Sequence, residues 1–228
     1  MIVRTAVMDE LLLDLIANQN ADSVVNLAAG LDARPWRLEL PASLRWVDVD
    51  LPDILRYKSE TIGQARPSCR YEAVSADLTD AEIRRNILGR LADESKRAVV
   101  LTEGLLIYLT PEQVGHLARD LHAAEHFLWW IIDLANPRLL AIMRRSWGAS
   151  ANAANAPFQF APREGTEFFE KFGWHATVNR YMLDDARRLH REMRFAVLQR
   201  LATRFLPPGI REDFQHMSSI ALLERRIS

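Results

Sequence analysis

The chain has 228 residues, 49% of them hydrophobic and 26% charged, with a formal net charge of −1 at pH 7. That is enough chain for one α/β domain with a sizeable core, and the near-zero charge gives no global field to draw in nucleic acid or an anionic membrane. The single cysteine, Cys69, excludes an intrachain disulfide framework. No apolar run reaches the roughly 18 residues of a membrane span and no signal-peptide pattern opens the chain, so the cytoplasm is the expected location.

Taken in order, Thr5 to Ala17 has an apolar face at helical spacing. Ser23 to Ala28 is a buried strand that stops at the small residues Ala28-Ala29-Gly30. After a short helix-compatible piece, Leu44 to Val49 is a second strand, ending at Asp50. A helix is predicted over Leu51 to Gln64, with Pro52 in its first turn, where a missing N–H costs little. Arg70 to Ala76 is a weaker third strand. Thr79 to Leu91 reads as a helix capped by Thr79, with Glu82 completing a capping box. Ala98 to Thr102 is the fourth strand. The next helix opens at Thr110-Pro111-Glu112-Gln113, with Thr110 as N-cap, and runs to about Glu125. Phe127 to Leu134 is apolar on both faces, as in a central strand, with Trp129 and Trp130 in the core on opposite faces. Leu139 to Ser146 looks helical, and Trp147 to Pro162 is small, polar and irregular. Together, about 139–165 form a lid-like insertion. A helix over Thr166 to Phe172 ends at Gly173, followed by a strand over Trp174 to Val178, an amphipathic helix over Met182 to Glu192 and a last strand over Ser219 to Glu224. Strands alternating with helices predict a doubly wound, mostly parallel α/β sheet in one domain spanning residues 1–228.

In such sheets ligands bind at the C-terminal ends of the strands. Asp32, Asp50, Asp77 and Glu103 follow the first four predicted strands in turn, which aligns four acids along one sheet edge. Gly30 and Asp50 stand 20 residues apart, the layout of a nucleotide-binding βαβ unit whose acid accepts from ribose hydroxyls. Small residues at Ala28 and Gly30 let a ligand approach the backbone. Neither G-x-G-x-x-G nor G-x-x-x-x-G-K-[ST] is present. An adenosine ligand without a pyrophosphate therefore fits better than NAD or ATP, and S-adenosylmethionine is the commonest such cofactor. Asp50 suits the ribose, and Asp77 with Leu78 suits the adenine. Asp32 and Glu103 lie nearer the reacting end, where negative charge stabilises a sulfonium. Arg4 and Arg34 are candidates for the cofactor's carboxylate.

The segments NLAAGLDARPWRL, WVDVDLPDILRYKSE, ADL and LTEGLLIYLTPEQV, with the later FFEKFGWHATVNRYMLDDARRLHRE, resemble the signature blocks of the leucine carboxyl methyltransferase family, which includes polyketide O-methyltransferases of the tetracenomycin type. The resemblance covers about residues 3 to 192. It implies a class I methyltransferase fold: seven strands, mostly parallel, with the last antiparallel. It also implies cofactor contacts from Arg4 to the methionine carboxylate, from Ala28 and Gly30 under the methionine moiety, from Asp50 to the ribose, from Asp77 and Leu78 to the adenine, and from Glu103 near the amino-acid end. Tyr108 lies in the block bordering the acceptor pocket, where it could orient the acceptor. Relatives carry Gly where this chain has Ala28, a change the turn survives if φ there is negative. They also carry a longer N-terminal region over the active site, so cover is expected here from 147–162 or from a partner subunit.

Other chemistry is less favoured. His116, His122 and His126 lie on or just after one helix, with no Glu-x-x-His pair and no nearby cysteine, so a helix face is preferred to a metal site. His175, at the start of a strand, reads as sheet packing rather than a base. Ser23, Ser75 and Ser146 lack a G-x-S-x-G context. The expected function is S-adenosylmethionine-dependent O-methyl transfer to a small-molecule carboxylate or hydroxyl, with S-adenosylhomocysteine as product and neither nucleic acid nor membrane as partner. Self-association stays open. No base stands out, which tilts the acceptor towards a carboxylate, ionised at pH 7. Two rivals remain: a non-catalytic protein that binds the same cofactor, and a nicotinamide-dependent oxidoreductase.

Overall fold

β1 (Ser23–Leu27) is buried along its whole length because it lies between β2 (Arg45–Asp50) and β4 (Ala98–Thr102), parallel to both. Its sequence SVVNL has no polar-out alternation, as expected where helices cover both faces. In this computed structural model, which describes residues 2–153, 155–192 and 207–226, β3 (Arg70–Ser75) extends the sheet beyond β2. β5 (Phe127–Ala135) extends it beyond β4, again parallel. The last strand, β7 (Ser218–Arg225), runs antiparallel between β5 and the edge strand β6 (Trp174–Tyr181). The resulting order is β3-β2-β1-β4-β5-β7-β6. The strand order reverses between β1 and β4, which opens a ligand crevice at their C-terminal ends.

The faces are covered separately. On one side α1 (Ile2–Asn18) buries Val7, Met8, Leu12 and Leu15 against Trp46, Val99, Leu101 and Trp129. On the other, α4 (Ala81–Asp93) and α5 (Pro111–Ala123) pack Leu88, Leu91, Val114 and Leu121 against Val47, Val100 and Trp130. Trp129 and Trp130 thus enter opposite cores, since successive strand residues face opposite ways. Among the described residues the remaining helices are α2 (Arg34–Arg37), α3 (Pro52–Ile62), α6 (Pro137–Ala153), α7 (Met182–Arg188) and α8 (Pro208–Gln215), with 3-10 turns at Leu106–Tyr108 and Gly165–Phe172.

Several local expectations are met and others corrected. Thr110 accepts from the Gln113 N–H while the Gln113 side chain accepts from the Thr110 N–H, the full capping box. At α4 the cap is Asp80 instead of Thr79: Asp80 accepts from the N–H groups of Glu82 and Ile83, and the Thr79 hydroxyl instead donates to Asp77. α6 continues through Trp147 to Ala153, a stretch expected to be irregular. Its alanines and the lack of proline before Pro157 keep the helix going. Residues 165–172 wind as a 3-10 helix and end at Gly173, whose φ is +86°. A Cβ there would lie 2.3 Å from His122 Nε2. β6 is longer than expected, and α8 was not anticipated. No helix among the described residues is long and apolar enough to cross a membrane.

Candidate active site

The turn after β1 brings the first wall of the site. Ala28 and Gly30 both adopt left-handed backbone, each with φ of +52°. For Gly30 this is free; for Ala28 it carries steric cost, so the condition of a negative φ is not met and the turn forms in spite of the Cβ. The Ala28 N–H donates to the Val49 carbonyl at 2.8 Å, which ties the turn to β2. Asp50, at the tip of β2, fastens the same turn: its Oδ2 accepts from the Gly30 N–H and its Oδ1 from the Leu51 N–H, both at 2.7 Å.

Asp50, Ala28, Asp77 and Leu78 line one cavity of about 210 Å³, closed by Leu105, Leu109 and Leu117. Carboxylates stand at its rim and leucines form its body, as a flat heteroaromatic ring with a diol would require. Asp77 is exposed, and the hydroxyl and N–H of Thr79 hold its carboxyl below the usual range.

A second cavity of about 240 Å³ lies beyond β4 and β5, lined by Arg4, Gly104, Tyr108, Asp133, Leu139, Met143, Phe160 and Met182. The 139–165 insertion therefore contributes walls. It is tied down by the Gln159 N–H to the Ile107 carbonyl at 2.6 Å and Arg144 Nε to the Phe158 carbonyl at 2.7 Å. Tyr108 is 39% exposed, with its ring 5.5 Å from that of Phe158.

Between and behind these cavities runs a continuous polar network. Lys58 Nζ donates to Asp48 at 2.5 Å, and Asn26 Nδ2 bridges Asp48 and Asp32 at 3.2 and 3.0 Å. Arg34, 1% exposed, donates to Asp32, Asp9 and Glu103 at 2.6 to 2.7 Å. Glu103 also accepts from Arg4 Nε at 2.9 Å and the Thr5 hydroxyl at 3.0 Å. Arg4 Nη1 then reaches Asp133 Oδ2 at 3.0 Å, whose Oδ1 accepts from the Gly104 N–H at 2.7 Å. Buried charge of this kind persists only when paired. Burial alone would raise Glu103, but Arg34, Arg4 and Thr5 together hold its carboxyl below the ordinary value. Burial wins at Asp32 and Asp133, pushing both up.

The expected site residues thus fall into two groups. Ala28, Asp50, Asp77, Leu78, Arg4 and Tyr108 line the two cavities. Gly30, Asp32 and Glu103 are absent from those walls: the Gly30 N–H holds the Asp50 carboxylate, and Asp32 and Glu103 serve the network that fixes Arg4 and Arg34. Arg34 itself is committed to three carboxylates, so it is no partner for a ligand's carboxylate. Asp133 went unnoticed in the sequence reading; its signal was the lone acid in FLWWIIDL. His175 is exposed and lies 3.6 Å from Glu170 instead of packing on the sheet. The ring of His122 meets Trp174 edge-on, and His126 Nδ1 lies 2.9 Å from the Ala92 carbonyl.

This sheet order, with its antiparallel seventh strand and a crevice at the strand tips, defines a class I methyltransferase fold. A DUF574 family protein from Streptomyces avermitilis is similar in fold, with a TM-score of 0.66 and 13% identity over 98% of this chain and 82% of that one. So is a magnesium protoporphyrin IX methyltransferase from Synechocystis, solved with S-adenosylhomocysteine bound, with a TM-score of 0.55 and 12% identity over 98% and 84%. The family profile described as leucine carboxyl methyltransferase matches residues 1–122, more than half of the chain. This chain belongs to that family. Sequence relatives named for S-adenosyl-L-methionine-dependent methyl transfer occur in Parafrankia, 40% identical over 120 residues, and in Mycobacterium tuberculosis, 33% identical over 165 residues. Those alignments cover 52% and 63% of this chain, but only 38% and 54% of the relatives.

Proposed function

We propose that this protein binds S-adenosyl-L-methionine and transfers its methyl group to an oxygen of a small molecule, polyketide-like or another secondary metabolite. The observation that carries this reading is the pair of neighbouring cavities at the strand tips. One has the acids and leucines an adenosine needs; the other has Arg4 and an apolar body. The names of the relatives support the cofactor, and the geometry supports the division of labour. Asp50 accepts from the ribose hydroxyls with its remaining lone pairs, and Asp77 accepts from the adenine amine while Leu78 packs on the ring. Arg4, its guanidinium fixed by Glu103 and Asp133, receives the methionine carboxylate. The cofactor supplies a methyl group already activated by a sulfonium. The protein's part is to align acceptor oxygen, methyl and sulfur and to keep water out. Tyr108, at the mouth of the second cavity, orients the acceptor, and Leu139, Met143 and Phe160 of the insertion cover it.

Isothermal titration with S-adenosylhomocysteine, with NAD as control, tests this directly. Micromolar binding of the first alone is expected, and Asp77→Ala should weaken it about tenfold through loss of a charged hydrogen bond. Binding of NAD in its place would sink the reading.

A further inference from the structure

The second cavity contains one group that helps to fix Arg4 and still has hydrogen-bonding capacity of its own. Its walls are largely apolar, with Leu139, Met143, Phe160 and Met182 among them, yet the carboxylate of Asp133 also lines it. That side chain is 17% exposed and is placed from two sides, by the Gly104 N–H on Oδ1 and by Arg4 Nη1 on Oδ2. Each carboxylate oxygen can accept two hydrogen bonds. Both therefore keep one acceptor position for a donor arriving in the cavity. Arg4 does not neutralise Asp133 alone, because Glu103 holds the same guanidinium.

Resting on the methyltransferase reading above, we infer that Asp133 is a catalytic residue which takes the proton of a hydroxyl acceptor, and that its charge makes this cavity select a phenol-type hydroxyl over a carboxylate. A hydroxyl brings the donor that Asp133 lacks. A carboxylate acceptor brings no donor and, with Arg4 already taken by the cofactor's own carboxylate, meets the charge of Asp133 without a cation of its own in a site walled largely by hydrocarbon, where such repulsion is weakly screened. Apolar walls of this size suit an aromatic ring. In the step, the acceptor's O–H bond breaks and its proton goes to the Asp133 carboxylate. The oxygen lone pair forms the new C–O bond to the methyl carbon, and the C–S bond breaks with its electron pair left on sulfur. Asp133, now neutral, returns its proton to water. Burial raises this carboxyl above the ordinary value, which brings it closer to a phenol and makes it the better base. The assignment departs from the carboxylate that the sequence favoured for want of a base.

The test is a calorimetric titration of 4-methylphenol and 4-methylbenzoate into protein saturated with S-adenosylhomocysteine, for the native chain and for Asp133→Asn. The native chain should bind the phenol at least about tenfold more tightly than the benzoate. Asp133→Asn keeps the shape and the acceptor for Gly104 but removes the charge, so it should narrow that ratio, chiefly by improving the benzoate. Equal or tighter benzoate binding by the native chain overturns the proposal, as does an unchanged ratio in Asp133→Asn, or binding of neither compound. If the variant fails to fold, the ratio in the native chain decides alone. Failure of the methyltransferase reading shows separately and earlier, as absence of S-adenosylhomocysteine binding.

Discussion

Ala28 occupies a backbone conformation that L-residues with a Cβ avoid, at a cost of roughly 1–2 kcal/mol. Ala28→Gly removes that cost but loosens the unfolded chain, an opposing effect of about 0.4–1 kcal/mol. The variant should therefore be more stable by about 0.8 kcal/mol, the difference of the mid-values of those two effects, and by no more than roughly 1.6 kcal/mol. The urea midpoint measures this, and a fall in the midpoint would show that the methyl is held by packing instead. The residue also marks a limit of sequence reading. The pattern AAG announced a tight turn, but which of its residues would take positive φ is set by the Ala28 N–H bond to Val49, a contact across two strands.

For whole elements, the α4 terminus offers a clean contrast. Asp80→Ala removes the cap from two N–H groups and should cost about 1 kcal/mol. Thr79→Ala, at the position the sequence suggested, leaves both of those bonds intact and should cost less. Thermal melts of the two variants compare them, and the reverse order would return the cap to Thr79. The two residues are adjacent and both are good caps, so periodicity alone could not separate them. Elements with one dominant signal were readable: β1, β4 and β5 from continuous apolar runs, α5 from its Thr-Pro-x-Gln start. α6 was cut short because ASANAANAP reads as low complexity, although alanine favours helix once nucleated. At the site, the acids at the ends of β1 to β4 were visible because each ends a strand. Their division into cavity walls and network was not, since it depends on Arg34 and on Thr5 and Asp9 of α1 arriving from elsewhere in the chain.

For the molecule as a whole, the shifted groups tie stability to pH at both ends of the scale. Glu103 has a lowered carboxyl, so the folded state holds fewer protons than the unfolded one in acid. Its contribution is complete above the ordinary 4.5 and is lost as pH falls through the folded value. The raised carboxyls of Asp32 and Asp133 act oppositely there, favouring the folded state as pH falls. At the alkaline end, burial holds Tyr71, with Asp48 beside it, above its ordinary 10.0, and burial likewise holds Cys69 above its ordinary 9.0. Their neutral forms are favoured by folding, so stability is intact below those values and declines as pH rises past them. Urea midpoints measured across pH should show the alkaline decline. Tyr71→Phe should flatten it, and an unchanged slope would mean that Tyr71 ionises freely in the folded state.

The position of β7 also orders events during synthesis. It is made after the other six described strands, yet it sits inside the sheet, where it is the common neighbour of β5 and β6. While the ribosome is still short of residue 218, β1 to β4 and the residues that line the first cavity, from Ala28 to Leu117, are already made. β5 meanwhile presents a bare hydrogen-bonding edge along the residues that carry Asp133, and β6 lacks its sheet partner. An exposed apolar edge of that kind invites pairing with other chains. The nascent chain thus passes through a stage in which every residue lining the first cavity is present while the wall that bears Asp133 still waits for β7.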